Sequence, residues 1–252
     1  MIQQRRFHNP LFVGGKVPFV ETGADSALIQ VNLRPRFHQG EARGGASMVP
    51  AFFVIDDFLA NPDAVRAEAL RLDYAVEGRF PGLNSVQKLR LRGLEQTVSA
   101  LVREPVRAPW DATFSHGSCR VALESDDRPG RIHIDQSHWS GILYLSRPED
   151  CRGGTEFYRH LPTGTDRVPM TEDQLRAAGY DSYEELQRDI LDRDALDRSK
   201  WELTMTVPMR YNRLVLLQPH YWHTSGPGFG DRIENGRLVY LMFFLRGPER
   251  VH

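Results

Sequence analysis

The 252 residues suit one all-β domain or two smaller domains with a sizeable hydrophobic core. Because 32 basic and 33 acidic residues leave a formal net charge of -1, nucleic acid and a membrane surface are disfavoured as partners. No apolar run is long enough for a membrane span. The two cysteines, Cys119 and Cys151, are too few for a disulfide scaffold and lack zinc-site spacing, so we expect a reducing, cytoplasmic location.

The first part of the chain, residues 1–110, predicts N-terminal strands and buttressing helices. Short apolar pieces at residues 11–13 and 28–31 are typical of edge strands or ordered loop. Residues 52–59 predict a strand that runs into a helix, with Asn61 as the N-cap and Pro62 in the first turn. A second helix is expected over residues 93–102, where apolar side chains recur on one side: Leu94, Val98 and Leu101.

From residue 111 onward the pattern changes to short strands separated by turn-forming residues. The strands are predicted at residues 119–123, 132–134, 141–145, 155–158, 201–207, 213–217 and 237–245. Residues 161–200 are rich in Asp, Glu and Arg and predict a helical insertion, which resembles a lid or else a solvated decoration. About eight short strands favour a mostly β fold with flanking helices and an antiparallel jelly-roll core.

Two side chains near the middle of the chain are the strongest candidates for metal binding. His133 and Asp135 stand two residues apart in a predicted strand, so both face the same side. His220 and His223 compete to supply a third ligand. Two histidines and one carboxylate form the facial triad that leaves coordination positions open on non-haem Fe(II). A His-x-Asp pair alone is common by chance, and Asp135 could instead cap a turn or orient the histidine.

Arg237 stands at the start of a strongly apolar predicted strand, residues 238–245. Burying an unpaired guanidinium is costly, so this side chain needs an anion. One interpretation is an ion pair with Asp231 or Glu234, just upstream. The other is a two-pronged contact with a ligand carboxylate, which a planar guanidinium makes better than lysine does.

The order of His133, Asp135, His223 and Arg237 resembles that of the iron(II)- and 2-oxoglutarate-dependent oxygenases. Residues 141–145 followed by Gly-Gly-Thr-Glu-Phe are similar to the strands of the prolyl-hydroxylase-like branch. The Phe-Gly-Asp and Asn-Gly-Arg-Leu runs before the last strand resemble a little-characterised bacterial subgroup of that branch. The resemblance covers residues 50–250 and implies a single domain. Its core would be a double-stranded β-helix, jelly-roll or cupin-like, over residues 111–250.

The resemblance also implies roles for individual residues. His133, Asp135 and His223 would bind Fe(II), and Arg237 would bind the distal carboxylate of 2-oxoglutarate, with O2 as the other cosubstrate. His223 is preferred to His220 because it lies where the family places the distal ligand.

Other candidate site residues follow from their positions beside this set. Tyr144 and Thr155 could donate hydroxyl hydrogen bonds to the same carboxylate, although Tyr144 could equally be a barrel-lining aromatic. Two arginines flank the site by strand order and could bind a substrate carboxylate or the second carboxylate of the cosubstrate: Arg120 and Arg131. Three residues directly after the first ligands are predicted to line the opening: Gln136, His138 and Trp139.

The expected activity is that of a non-haem iron dioxygenase. It would hydroxylate an unactivated C–H bond of an amino acid, a peptide or a natural-product intermediate, with decarboxylation of 2-oxoglutarate to succinate. Asp135 favours hydroxylation because halogenases of this class have Gly or Ala there; desaturation and cyclisation use the same chemistry. Two alternatives come from other classes. One is a zinc-dependent hydrolase, which offers no role for Arg237, and the other is a non-enzymatic β-barrel binding module.

Overall fold

The computed structural model describes residues 19–20 and 51–248, and these residues form short strands with a few helices. The predicted strands at residues 11–13 and 28–31 lie outside the described residues. In chain order the strands are β1 (Phe19–Val20), β2 (Phe52–Ile55), β3 (Tyr74–Glu77), β4 (Leu83–Leu89), β5 (Val106–Arg107), β6 (Ser118–Ala122), β7 (Trp139–Tyr144), β8 (Gly154–His160), β9 (Trp201–Pro208), β10 (Leu214–Leu217), β11 (His223–Ser225) and β12 (Arg237–Arg246).

The strands form two open sheets. The large sheet has the order β1-β4-β6-β12-β7-β10-β2, with β3 added on β4 and β5 on β12. The small sheet has the order β11-β8-β9. Strands β1 and β4 pair in parallel, and the other pairs are antiparallel. The mostly β architecture with a jelly-roll core is thereby confirmed, although the sheets do not close into a barrel.

Alternation along the strands sorts side chains onto two faces of the large sheet. One face meets the small sheet through an apolar set that we call the inner cluster: Tyr144, Phe157, Val207, Met209, Val215, Leu217, Phe229 and Val239. The other face packs against α1 (Pro62–Ala69) and α2 (Leu94–Val102). Both helices lie where they were predicted. Asn61 caps α1, because its side-chain oxygen accepts the N–H of Ala64 at 3.2 Å.

The insertion forms a third layer on the outer face of the small sheet. It contains α3 (Glu172–Ala177), α4 (Tyr183–Leu186), a π-helix (Gln187–Asp194) and a 3-10 turn (Arg198–Lys200). Buried side chains join it to the sheet: Ile132, Tyr158, Leu175, Tyr180, Leu186, Ile190, Trp201 and Trp222. The insertion is therefore a packed layer, not a solvated decoration. Within residues 51–248 no helix has the length and apolar character needed to cross a bilayer.

Candidate metal site

Backbone hydrogen bonds bring the predicted ligands together between the two sheets. The N–H of His133 donates to the carbonyl of His223 at 2.9 Å, and the N–H of His223 donates back at 3.1 Å. The N–H of Asp135 donates to the carbonyl of Pro219 at 3.1 Å. The segment of residues 132–134 is thus held by an isolated bridge and is not the full strand that was predicted. The pairing still places three candidate ligands at one point.

The three side chains converge with their donor atoms facing one another. The Nε2 atom of His133 is 3.6 Å from Oδ1 of Asp135, and the Nε2 atom of His223 is 3.5 Å from Oδ2. One donor atom from each of the three residues lies within 4.8 Å of the others. Such a group of two nitrogens and one oxygen is the donor set of the facial triad.

Carbonyl groups behind both imidazoles fix their orientation. The Nδ1 atom of His133 lies 3.0 Å from the carbonyl oxygen of Arg131, and that of His223 lies 2.8 Å from the carbonyl oxygen of Tyr221. Because a carbonyl only accepts, each Nδ1 carries the proton in the neutral ring. Each Nε2 then presents its lone pair to the centre, as metal-binding histidines require.

The electrostatics of the group favour an ionised Asp135. Burial by itself raises the pKa of this carboxyl, but the hydrogen bond with His223 and the charges of both imidazoles lower the pKa below its ordinary value. Burial lowers the pKa of His133 to about 3. For His223, burial acts in the same direction, but the hydrogen bond and charge of Asp135 outweigh it and raise the pKa. The ionised carboxylate therefore favours a proton on His223 over one on His133.

Ser140 holds the carboxylate of Asp135 in place. Its hydroxyl donates to Oδ2 of Asp135 at 2.6 Å, and the hydroxyl of Ser137 lies 2.7 Å behind it. Ser140 is on the inner side of β7, where a buried polar residue interrupts an apolar strand. That interruption is the signal by which the sequence could have indicated this residue.

We expect Ser140→Ala to weaken binding of a divalent metal about 10- to 100-fold, because outer partners of metal ligands have effects of this size. Metal titration under anaerobic conditions measures the effect. Ser137→Ala is the matched control and should change the affinity less, since Ser137 contacts Ser140 and not Asp135. Equal affinities for Ser140→Ala and the parent protein would show that the serine does not support the site.

His220 does not join the group. Its ring stacks on Tyr221 with ring centres 4.9 Å apart, and its carbonyl accepts the N–H of Val168 at 2.9 Å. The choice between the two histidines therefore falls on His223.

A second polar group, which we call the arginine pocket, consists of Arg237, Tyr144 and Thr155. The Arg237 side chain is 3% exposed, and its Nη2 atom donates to the carbonyl of Gly154 at 3.2 Å. Its Nε atom has no hydrogen-bond acceptor among the described residues. The guanidinium carbon lies 5.9 Å from the centre of the Tyr144 ring, and the Tyr144 hydroxyl is 2.7 Å from Oγ1 of Thr155. Three side chains predicted to share one role thus lie together.

The acidic residues just upstream do not neutralise Arg237. Asp231 accepts hydrogen bonds from Arg232 and Asn235, and Glu234 lies 3.9 Å from Arg232. Within residues 51–248, no carboxylate lies at salt-bridge distance from the Arg237 guanidinium. Burial lowers the pKa of Arg237. A buried cation without an anion is costly for the fold, so the pocket is suited to an anionic ligand.

The strand register relates the arginine pocket to the candidate ligands. Along β11 and β8, His223 stands opposite Phe157 and Ser225 stands opposite Thr155. Thr155 and Phe157 are two residues apart on β8, so Thr155 lies about 7 Å along the strand from the position opposite His223. The two polar groups lie side by side on the inner faces of the sheets.

The two flanking arginines have different surroundings. Arg120 lies on β6 opposite Val239 of the inner cluster, and its Nε donates to Oδ1 of Asn84 at 2.7 Å. Arg131 instead donates to the carbonyl of Leu191 and lies 3.6 Å from Asp192. The prediction of a ligand contact for Arg131 is therefore corrected, because its guanidinium is tied to the insertion.

Of the three residues predicted to line the opening, Trp139 needs correction. Trp139 is 1% exposed and donates from Nε1 to Glu104 at 2.8 Å, and its ring packs 5.8 Å from that of Phe53. His138 contacts the same Glu104 carboxylate at 2.8 Å. Because side chains alternate along β7, the inward position of Ser140 places Trp139 on the opposite, helix-facing side. Gln136 is exposed, so its place at the opening, like that of His138, stays a prediction.

We expect Trp139→Ala to lower the free energy of unfolding by about 3–5 kcal/mol, the usual cost of emptying a buried aromatic site. Urea denaturation measures this loss. Gln136→Ala, on the exposed neighbour, should change stability by less than about 0.5 kcal/mol. A Trp139→Ala protein of unchanged stability would contradict the buried position of Trp139.

Sequence reasoning did not identify Phe80 as part of the site. Its ring lies 4.1 Å from the ring of His133 and 5.5 Å from the guanidinium of Arg120, measured between centres. Phe80 belongs to the segment between β3 and β4, and neither of these two strands was predicted from the sequence. No local signal in a Gly- and Arg-containing loop indicates such a contact.

Several solved structures are similar to this chain at low sequence identity. HygX from Streptomyces hygroscopicus, in a structure with nickel, 2-oxoglutarate and hygromycin B bound, is 16% identical, with 80% of this chain and 84% of that chain covered and a TM-score of 0.47. The non-heme alpha ketoglutarate dependent carbocyclase SnoK from nogalamycin biosynthesis is 16% identical over 79% and 80%, with a TM-score of 0.46. A Pseudomonas putida prolyl-4-hydroxylase is 17% identical over 79% and 94%, with a TM-score of 0.35.

The amino-acid sequence itself matches a family model. No curated protein sequence matches the chain. Residues 45–244 match the model described as "Family of unknown function (DUF6445)", which covers most of the chain. The chain therefore belongs to the DUF6445 family, whose function is unknown.

Proposed function

We propose that this protein is an Fe(II)- and 2-oxoglutarate-dependent oxygenase. With O2 as the oxidant, it hydroxylates an unactivated C–H bond of an amino acid, a peptide or a natural-product intermediate, and 2-oxoglutarate is converted to succinate and CO2; one oxygen atom enters each product. One observation carries the proposal: a His-Asp-His group with converging donor atoms lies beside a buried arginine that has no acidic partner among the described residues.

The candidate ligands fit Fe(II) in their chemistry. His133 and His223 present Nε2 lone pairs because carbonyl groups take up their Nδ1 protons. Asp135 is held ionised and is oriented by Ser140. Two imidazoles and one carboxylate suit a ferrous ion and leave positions open for small ligands. When bound, the metal and 2-oxoglutarate supply the activation of O2 and the oxidising power for the C–H bond.

The arginine pocket fits the distal carboxylate of 2-oxoglutarate. The free Nε of Arg237 and the adjacent hydroxyls of Tyr144 and Thr155 are donors that a carboxylate accepts from. The pocket lies about 7 Å along β8 from the partner of His223, a separation comparable with the length of 2-oxoglutarate. Arg237 thereby orients the cosubstrate. The carboxylate of the cosubstrate in turn offsets the free-energy cost of burying the guanidinium charge.

Apolar side chains around the two polar groups limit the access of water. Phe157 is 5% exposed and its ring lies 6.3 Å from that of His223, while Val215 and Val239 are almost fully buried beside it. Such walls strengthen the electrostatic contacts within the site and protect reactive species from solvent. The chain's own contribution is thus to hold, orient and shield the reacting groups.

The alternative functions leave parts of the arrangement without a role. A zinc-dependent hydrolase needs the metal ligands but has no use for a buried arginine directed at a second anion. A non-enzymatic binding module needs neither two imidazoles with oriented Nε2 atoms nor an ionised carboxylate between them.

The proposal is tested by incubating the purified protein with Fe(II), O2 and 2-oxoglutarate and measuring succinate. We expect slow succinate formation even without the primary substrate, and none when Zn(II) replaces Fe(II). Absence of succinate with Fe(II), in protein that retains its fold and binds the metal, would overturn the proposal.

A further inference from the structure

Arg120 is a second cation on the inner face of the large sheet. On β6 it stands opposite Asn84 of β4 on one side and opposite Val239 of β12 on the other. The charge of Arg237 lowers the pKa of Arg120, and the charge of Asp135 raises it. The Arg120 guanidinium thus interacts electrostatically with both polar groups of the site. Burial is the largest influence, and the pKa of Arg120 falls to about 10. Arg120 is half-buried, and the Phe80 ring lies next to both its guanidinium and the His133 ring.

Arg120 has no acidic partner in the described part of the chain. Its Nε donates to the amide oxygen of Asn84 at 2.7 Å, which is a neutral acceptor. The nearby carboxylate of Asp126 is engaged by Arg128 at 2.9 Å and by the N–H of Gly82. The Nη atoms of Arg120 remain available for an anion.

The carboxylates nearest to the two arginines have other partners. Asp135 lies beside the imidazoles of His133 and His223. Glu156 lies near Arg237, but its carboxylate accepts a hydrogen bond at 2.5 Å from Tyr158, which belongs to the outer face of the small sheet. Neither carboxylate forms an ion pair with Arg120, so its guanidinium can bind a carboxylate ligand.

Phe80 lies where it would cover such a ligand. Its ring contacts both Arg120 and His133, at 5.5 Å and 4.1 Å between centres. Its segment is fixed at Gly82, whose carbonyl accepts from Arg128 at 3.0 Å and whose N–H donates to Asp126. Phe80 thus contacts both the guanidinium that would bind such a ligand and the side of the site that carries His133.

We propose that Arg120 binds a carboxylate of the primary substrate, which is therefore a carboxylic acid whose reacting carbon lies under Phe80, next to His133. This inference rests on the proposed function. The same chemistry could be met by the second carboxylate of 2-oxoglutarate, and the experiment distinguishes the two sources.

The test uses a Phe80→Trp reporter in the zinc-loaded protein, in which no turnover occurs. In saturating 2-oxoglutarate, the protein is titrated with a panel of N-acetyl amino acids and with the matching N-acetyl amino-acid amides, in which a neutral amide of similar size replaces the carboxylate. The signal is the change in fluorescence of the Phe80→Trp protein minus the change in the parent protein, which keeps Phe80. Calorimetry on the parent protein repeats the comparison of acids and amides without the reporter. We expect the acids to bind at least about tenfold more tightly than the amides, since charge-assisted two-pronged contacts are the stronger ones.

Variants assign this preference to Arg120. Arg120→Gln should abolish the preference for acids over amides, and Arg120→Lys should retain part of it because the charge remains. Arg131→Gln is the matched control, since its guanidinium binds the insertion, and it should keep the full preference.

Several results would overturn the inference. These are equal binding of acids and amides, binding of neither, or a preference that survives Arg120→Gln. A loss of 2-oxoglutarate affinity in Arg120→Gln as large as that in an Arg237 variant would assign Arg120 to the cosubstrate instead. Failure of 2-oxoglutarate to bind the parent protein would overturn the proposed function, and this inference with it.

Discussion

Replacing His223 or Asp135 with alanine is expected to remove Fe(II) binding and 2-oxoglutarate turnover together. Each residue supplies one of three converging donor atoms. The affinity for Fe(II) should fall more than about 100-fold, because even the loss of an outer partner costs about 10- to 100-fold. Anaerobic metal titration and the succinate assay measure the two effects.

His220→Ala is the control for this experiment. His220 is the neighbouring histidine, its ring stacks on Tyr221, and it lies outside the ligand group. Metal affinity and succinate formation should both survive its replacement. If the loss occurs in His220→Ala and not in His223→Ala, His220 and not His223 supplies the third ligand.

Arg237→Met is expected to weaken 2-oxoglutarate binding at least about 30-fold while leaving metal affinity nearly unchanged. Removing the buried charged partner of a ligand costs about 2–5 kcal/mol, and each 1.4 kcal/mol is a factor of ten in affinity. The dissociation constant for 2-oxoglutarate, measured on the zinc-loaded protein, gives the effect. Arg237→Lys should be intermediate, because lysine keeps the charge but not the two-pronged geometry.

The stability of the Arg237→Met protein distinguishes a ligand-binding role from a structural one. Arg237 is buried, has no carboxylate partner in the described residues and leaves its Nε unbonded. Methionine removes an uncompensated charge, so the variant should be at least as stable as the parent protein to urea in the absence of ligands. Strong destabilisation with unchanged 2-oxoglutarate affinity would mean that the arginine serves the fold.

The grouping of the candidate metal ligands was predictable because their spacing is independent of the exact local structure. His133 and Asp135 face one side whether their segment forms a full strand or, as here, an isolated bridge to His223. Arg237 was predictable because an arginine at the start of an apolar strand needs an anion. Both arguments use local chemistry that tertiary packing does not change.

The face that a side chain presents was harder to predict, because it depends on where a strand begins. Trp139 follows the first ligands closely in sequence, yet it opens β7 and faces the helices. Strands β3 and β4 were missed because β4 buries polar residues, among them Lys88, whose Nζ donates to two backbone carbonyls at 2.8 Å. Such distant acceptors have no sequence signal.

The contact of Phe80 with His133 was unpredictable for a related reason. It depends on the path of a loop that Asp126 and Arg128 hold over β6. These partners are far from Phe80 in sequence, and nothing local identifies them.

Anaerobic addition of Fe(II) and 2-oxoglutarate to the purified protein tests the central claim most directly. If His133, Asp135 and His223 hold the metal beside the arginine pocket, a weak visible charge-transfer band should appear when both are present. The band should be absent from the His223→Ala protein. In the Arg237→Met protein, the 2-oxoglutarate concentration that gives half of the full band should be at least about 30-fold higher than in the parent. A folded parent protein that shows no band at saturating Fe(II) and 2-oxoglutarate would contradict the account.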